Sequence, residues 1–367
     1  VGLFLPSSKA IEHTTETNRQ VRLVFDTING FKRFGDWNPL RMHDPAVRYD
    51  ISGPDFGVGA RLDYHSQNKR IGRGSWELVE SRGEGRVMTV RFALENQAYG
   101  ENKTMRFNIE RRGRTTTITQ RYDVQYGWNL LGRYAGLYVA RSVGDDMRAG
   151  LANLSALFAT IPNFDYGNIT IETVEIPAQD ILFIPTKSER NITAVETAMT
   201  NQLKWIRQVM DKSDLEAAGP FRLVTTNFGV DIYEFDIQMP VRRKGTGPAA
   251  SGNGNGNGDG EDAEAEAGEG EARLRPGAES LPPAAGLDPE SIRLEGEVQF
   301  GQSYAGRALK TIHNGHPAGL PVVRDQLRAF AATRGLQIHD RAFEEYLQDI
   351  EATAAEDGQF NIFWPIR

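Results

Sequence analysis

Six successive runs between residues 46 and 127 alternate apolar and polar side chains: AVRYDIS (46–52), ARLDYHS (60–66), GSWELVES (74–81), RVMTVRFAL (86–94), KTMRFNIER (103–111) and TTTITQRYDVQYG (115–127). Glycine-containing turns separate them, so the runs read as an antiparallel meander with one apolar face that must be covered. Two amphipathic stretches are placed to cover it. After a strand near 10–17, NRQVRLVFDTINGFKRFGDW puts Val21, Val24, Phe25 and Ile28 on one helical face. Downstream, VGDDMRAGLANLSALFATIP spaces Val143, Met147, Leu151, Leu154, Phe158 and Ile161 for a long helix with one stripe. The expected fold class is therefore α+β, with a curved antiparallel sheet against a helix.

A second organising feature is a repeat. FDIQMPV (235–241) and FNIFWPI (360–366) share Phe, Asp or Asn, Ile, two variable positions, Pro and a β-branched residue. Each closes a segment of the same grammar. In the first, residues 169–187 read as a strand, 191–212 as a helix striped by Ile192, Val195, Met199, Ile206 and Met210, and 219–228 with 231–241 as a hairpin. In the second, 298–312 read as a strand, 316–335 as a helix closed by Gly335, and 341–350 with 358–366 as its strands. The two stretches are then equivalent last strands of two β-α-β-β units.

Between the units, residues 245–291 hold ten acidic and two basic side chains and only three large apolar ones, Leu274, Leu281 and Leu287. Such a stretch offers nothing to offset ordering entropy and reads as a flexible acidic linker, 244–295. With that segment set aside, the remaining charge is nearly balanced although the whole chain carries −7. A nucleic-acid partner is not expected of a chain without a basic footprint. The chain has no cysteine, which excludes disulfides, thiol nucleophiles and thiolate metal sites. His313 and His316 in HNGHP lack a third ligand nearby, so no metal or other cofactor is expected. Gly57-Val58-Gly59 precedes a strand and reads as a turn, and no G-x-S-x-G elbow or Ser-His-Asp order is present. Residues 1–7 begin with the apolar VGLFLP; this stretch reads either as a frayed end or, preferred here, as the remnant of a signal or membrane anchor, giving a membrane-anchored or periplasmic protein.

The order strand, short helices ending in DWNPL, Gly57 and Gly59, a run of strands and a long helix resembles the START-like superfamily, also called SRPBCC or polyketide cyclase/dehydrase-like, over residues 8–162. The resemblance implies a helix-grip fold with an apolar cavity. Trp37, His65, Trp76, Tyr122 and Trp128 are the candidate lining, with Asp63 a further polar candidate. Residues 169–243 and 296–367 resemble the GyrI-like, AraC effector-binding type of domain, most specifically through Phe343-Glu344-x-Tyr346, Trp364-Pro365-Ile366 and QSYAGRALKTIHNGHP. That resemblance implies a groove for apolar or cationic small molecules. Alternation in AFEEYL sends Glu344 and Glu345 to opposite faces; the family pattern points Glu344 inward and Glu345 to solvent. Tyr304, Tyr346, Trp364, Trp205, Phe228 and Tyr233 are the candidate aromatic wall.

The expected function is thus a small-molecule binding protein that sequesters or senses a hydrophobic or lipophilic-cationic ligand through two apolar cavities. The alternative is a metal-free enzyme: a cyclase or hydratase in the START-like cavity, or a hydrolase of electrophiles using Glu344 and Tyr304. A third reading gives the acidic linker a protein partner.

Overall fold

The computed structural model describes residues 5–246, 286–348 and 355–367. In chain order the elements are β1 (Ser8–Thr17), α1 (Val21–Ile28), α2 (Phe34–Trp37), α3 (Leu40–His43), β2 (Arg48–Ser52), β3 (Arg61–His65), β4 (Arg73–Glu84), β5 (Val87–Asn96), β6 (Glu101–Arg112), β7 (Thr115–Gln125) and α4 (Leu130–Thr160). There follow β8 (Glu172–Ile176), β9 (Asp180–Glu189), α5 (Ile192–Lys212), β10 (Leu215–Ala217), β11 (Arg222–Phe228) and β12 (Ile232–Arg243). The last are β13 (Gln299–Gln302), β14 (Gly306–Asn314), α6 (Leu320–Thr333), β15 (Phe343–Tyr346) and β16 (Gln359–Pro365). FDIQMPV lies within β12, and FNIFWP of the second copy lies within β16.

Two compact units divide the chain. The first holds Val1–Thr173, Ala308–Ala342 and Ile362–Arg367; the second holds Val174–Arg307 and Phe343–Asn361. This division departs from the sequence reading, because α6 falls in the first unit. Within that unit the buried carboxylate of Asp26 accepts from Tyr166 Oη at 3.0 Å and from Arg22 Nε at 3.2 Å, and Tyr166 Oη lies 3.1 Å from Thr333 Oγ1 of α6. Arg334 adds its guanidinium between the rings of Phe56, 4.0 Å away, and Phe330, 4.6 Å away. Long-range contacts of this kind carry no local sequence signature.

The first unit contains a seven-stranded antiparallel sheet in the order β1-β7-β6-β5-β4-β3-β2. Alternation places Met105, Phe107 and Ile109 of β6 and Ile118, Gln120, Tyr122 and Val124 of β7 on the buried face. The second half of α4 covers it with Met147, Leu151, Leu154 and Phe158. Helix α4 is capped by Asn129, whose side chain accepts from Gly132 N at 2.9 Å, and it ends before Pro162, which disfavours helix in the preceding residue. It begins thirteen residues earlier than the apolar stripe from Val143 suggests.

In the second unit the strand order is β13-β9-β12-β11-β15, with β10 on β12. Helix α5, capped by Asn191, packs Met199, Leu203, Ile206 and Met210 against Leu182, Ile184, Leu223, Phe235 and Ile237. The stretch 169–187 forms two strands rather than one because Pro177 interrupts the ladder between β8 and β9. Likewise 298–312 splits at the turn where Tyr304 Oη donates to Arg307 O at 2.7 Å and Gly306 takes φ +132°. Most of the expected linker, residues 247–285, lies outside the described residues. Its expected end does not hold: Pro289–Ser291 form a 3-10 turn, and Ile292 is buried with Val298 in the α5 core.

Candidate functional site

Where α1 and α2 meet the buried face of the first sheet, the segment FKRFGDW supplies Phe31, Phe34 and Trp37. Their rings meet Tyr49, Trp76 and Phe107 edge to face, and Phe31 meets Phe92 at a tilt of 57°. Phe34 lies 5.2 Å from Trp37, 5.7 Å from Tyr49 and 5.1 Å from Trp76, while Trp37 lies 5.7 Å from Phe107. Such pairs contribute beyond their area burial, so the aromatic cluster is a rigid wall.

Among the buried polar atoms that the described residues leave without hydrogen-bond partners are Trp37 Nε1 and Gln120 Oε1 at that wall and Tyr126 Oη just past the end of β7. Gln120 stands directly opposite Phe107, the ring that touches Trp37, and is only 3% exposed. Its amide nitrogen donates to Met105 Sδ at 3.3 Å, a weak acceptor, and its carbonyl oxygen has none of the donors that a buried acceptor ordinarily finds. Tyr122 and Tyr126 follow on the same strand face or just past its end. Burial pushes both phenols up from their ordinary range, with Tyr126 adding to the effect on Tyr122. Burial also pushes Tyr49 up to about 12, against the opposing effect of Arg41, whose guanidinium lies 5.1 Å from the ring. All three stay neutral near pH 7 and can both donate and accept.

Lys103, buried on β6, differs from these. Its ammonium donates to Ala98 O at 2.6 Å, Asn96 Oδ1 at 2.7 Å and Asn96 O at 3.3 Å, closing the β5–β6 loop. Burial holds its pKa below the usual lysine range.

Of the residues expected to line a START-like cavity, Trp37, Trp76 and Tyr122 lie in the buried layer. His65 does not. Leu62 and Tyr64 of β3 take the buried side, so Arg61, Asp63 and His65 point the other way. They line a polar groove of about 460 Å³ with Asp50, Arg73 and Glu95. Arg61 is committed there to Asp63 at 2.9 Å and Glu77 at 3.1 Å. Trp128, in the turn before α4, is 83% exposed and belongs to neither face of the sheet. Gln120, Tyr49 and Tyr126 were not singled out by sequence reasoning. The parity of TTTITQRYDV, which puts Gln120 on the side of Ile118 and Tyr122, was the available signal.

In the second unit, Glu344 is fully buried and pairs across β11 with Leu223, one of the residues facing α5. Tyr346 shares that side, stacked on Phe221 at 4.7 Å and edge-on to Phe360 at 4.9 Å. Glu345 takes the opposite side, as alternation requires, but not toward solvent. It accepts from Arg222 Nε at 3.1 Å, Arg222 Nη2 at 3.0 Å and Asn361 Nδ2 at 3.0 Å, while Arg222 Nη2 also donates to Gln179 Oε1 at 2.6 Å. Phe228 and Tyr233 form a separate group, 5.0 Å apart, with Arg190 stacked 4.0 Å over Phe228 and Tyr233 Oη 2.8 Å from Thr225 Oγ1. Trp205 is half exposed on α5, Tyr304 closes its turn, and Trp364 belongs to the first unit. His316 accepts from Ala318 N at 3.1 Å and caps the short turn before α6.

Residues 9–159 match the family model described as polyketide cyclase/dehydrase and lipid transport, which covers the seven-stranded sheet and α4. Among solved structures, norcoclaurine synthase from Thalictrum flavum, in complex with dopamine and hydroxybenzaldehyde, is similar at 14% identity over 43% of this chain and 90% of that one, with a TM-score of 0.33. The EcmrR C-terminal domain is similar at 14% identity over 55% and 98%, TM-score 0.35, and a hydrolase from Listeria innocua at 10% over 54% and 92%, TM-score 0.33. Likeness at this level carries no argument about function. No curated protein matches the chain. Among the described residues, no helix is long and apolar enough to cross a membrane.

Proposed function

We propose that the polyketide cyclase-like unit binds a hydrophobic small molecule bearing a polar group that both donates and accepts, such as a hydroxylated aromatic. The observation that carries this is the set of buried atoms without partners: the Gln120 carbonyl needs a donor, the Trp37 indole needs an acceptor, and the Tyr126 hydroxyl suits either. Leaving such groups unsatisfied costs about 1–3 kcal/mol each, which a ligand recovers on binding. Binding is favoured over catalysis because Lys103, the ammonium buried on this face, is held by three carbonyl oxygens, and the phenols of Tyr122 and Tyr126 are pushed away from the range useful for proton transfer near pH 7.

The same reading extends to the second unit as part of a GyrI-like module. There the buried Glu344, with Tyr346 and Phe221 on its side of the sheet, is the counter-charge for a lipophilic cation. Native mass spectrometry of the full chain against neutral hydroxylated aromatics and against lipophilic cations tests both halves. The neutral class should be lost on Gln120→Leu alone and the cationic class on Glu344→Gln alone. Retention of both classes by both variants would remove these residues from any ligand site.

A further inference from the structure

Helix α4 has two halves of opposite construction. From Met147 to Phe158 it buries large apolar side chains, as a helix lying on a sheet does. From Leu130 to Tyr138 it buries glycine instead: Gly132 and Gly136 are the residues turned inward, and a Cβ at Gly136 would stand 2.7 Å from the ring of Tyr126. The large apolar residues of this half face outward. Leu131 is 71% exposed and Tyr138 62%; Tyr134 and Leu137 are each more than half exposed, and Leu130 and Trp128 continue the patch. The spacing 130, 134, 137, 138 keeps them on one side of the helix, and Tyr134 and Tyr138 already pack edge to face at 5.9 Å.

Exposed apolar surface of this extent on a helix implies an apolar partner. The geometry points to a lipid bilayer carrying anionic headgroups, with α4 lying in the interface plane. Three observations favour that occupant. Tryptophan, tyrosine and leucine together are the composition of interfacial helices, where amphipathic rings sit at headgroup level. The segment 128–141, WNLLGRYAGLYVAR, contains Arg133 and Arg141 and no acidic residue, although the chain as a whole is acidic. The first described residue of the chain also arrives at this place: Arg133 Nη1 donates to Leu5 O at 3.2 Å, and Ser7 O accepts from Tyr126 N at 2.7 Å and Gly127 N at 3.2 Å. Leu5 ends the apolar run that opens the sequence. The inference does not depend on either ligand site.

The experiment is co-sedimentation of the full chain with vesicles of phosphatidylcholine, with and without a minor fraction of phosphatidylglycerol. The protein should partition onto the anionic vesicles, more weakly onto neutral ones, and added salt should release part of it. Leu137→Glu should weaken binding about tenfold or more, since burying one leucine contributes on the order of 1.5–3 kcal/mol, and its thermal transition should stay unchanged because the site is exposed. If Leu137→Glu fails to fold, quenching of wild-type tryptophan fluorescence by brominated lipid, lost in Trp128→Phe, reads the same contact. Absence of binding to both vesicle types, equal binding of a folded Leu137→Glu protein, or absence of any brominated-lipid quenching would overturn the inference. So would a dimer in solution that buries the patch and is abolished by the same substitution.

Discussion

Two sets of buried polar groups, one in each unit, are handled in opposite ways. In the second unit Arg222, Glu345, Gln179 and Asn361 exchange four hydrogen bonds between 2.6 and 3.1 Å, and the salt bridge is nearly closed to solvent on both sides. On the buried face of the first unit, Gln120, Trp37 and Tyr126 hold hydrogen-bonding capacity that nothing among the described residues uses. The first arrangement fixes strand register and orientation. The second leaves the fold less stable than an all-apolar face would be, which a fold tolerates where a bound molecule completes the bonding.

The sharpest way to break that contrast is at the committed network. Glu345→Ala should destabilise the protein by about 3–5 kcal/mol in denaturant titration, because it leaves the buried Arg222 guanidinium without its counter-charge. A loss under about 1 kcal/mol would mean that the network is open to water and the contrast unfounded.

Asp26 tests the same idea inside the first unit. There Tyr166 and Arg22 both donate to Oδ2, Arg22 Nε also lies 3.1 Å from Oδ1, and burial, with Asp26 as the second cause, pushes the Tyr166 phenol well up. Asp26→Asn should cost about 1.5–3 kcal/mol, the usual range for a hydrogen bond to a charged group, with ligand binding at Gln120 unaffected.

A smaller effect is expected in alkali. Tyr49 is held neutral up to about 12, above the ordinary tyrosine value near 10, so the folded state retains its proton where the unfolded state loses it. Its contribution to stability is therefore fully present below pH 10 and disappears as pH rises through 12. Tyr122 and Tyr166, raised in the same direction, add to it. Phenolate absorbance and unfolding should rise together in that window; phenols that all titrate near 10 without unfolding would show this face to be wet.

Sequence patterns reveal structure only where the signal is local. The strands of the first sheet were readable because period-2 alternation and glycine turns are properties of adjacent residues. The first half of α4 was missed because it inverts the usual pattern: Gly132 and Gly136 face the sheet while Leu131, Tyr134 and Tyr138 face out, so a search for a buried apolar stripe starts only at Val143. His65 and Trp128 suit a cavity lining by residue type alone, but strand parity turns the one away and the other stands in an exposed turn. Glu344 and Glu345 did separate to opposite faces, but the cation that meets Glu345 comes from Arg222, 123 residues away in sequence. The membership of α6 in the first unit likewise depends on Tyr166, Thr333 and Asp26 meeting across the chain, which no local pattern encodes.

If the uncommitted polar groups of the first unit exist for a ligand, Gln120→Leu must separate stability from binding. Leucine matches the site in size and removes the unsatisfied amide. The melting temperature of Gln120→Leu should equal or exceed that of the wild type, with affinity for a hydroxylated aromatic ligand lower by about tenfold or more in calorimetric titration of the same preparation. A lower melting temperature with ligand affinity unchanged would contradict a ligand role for these groups.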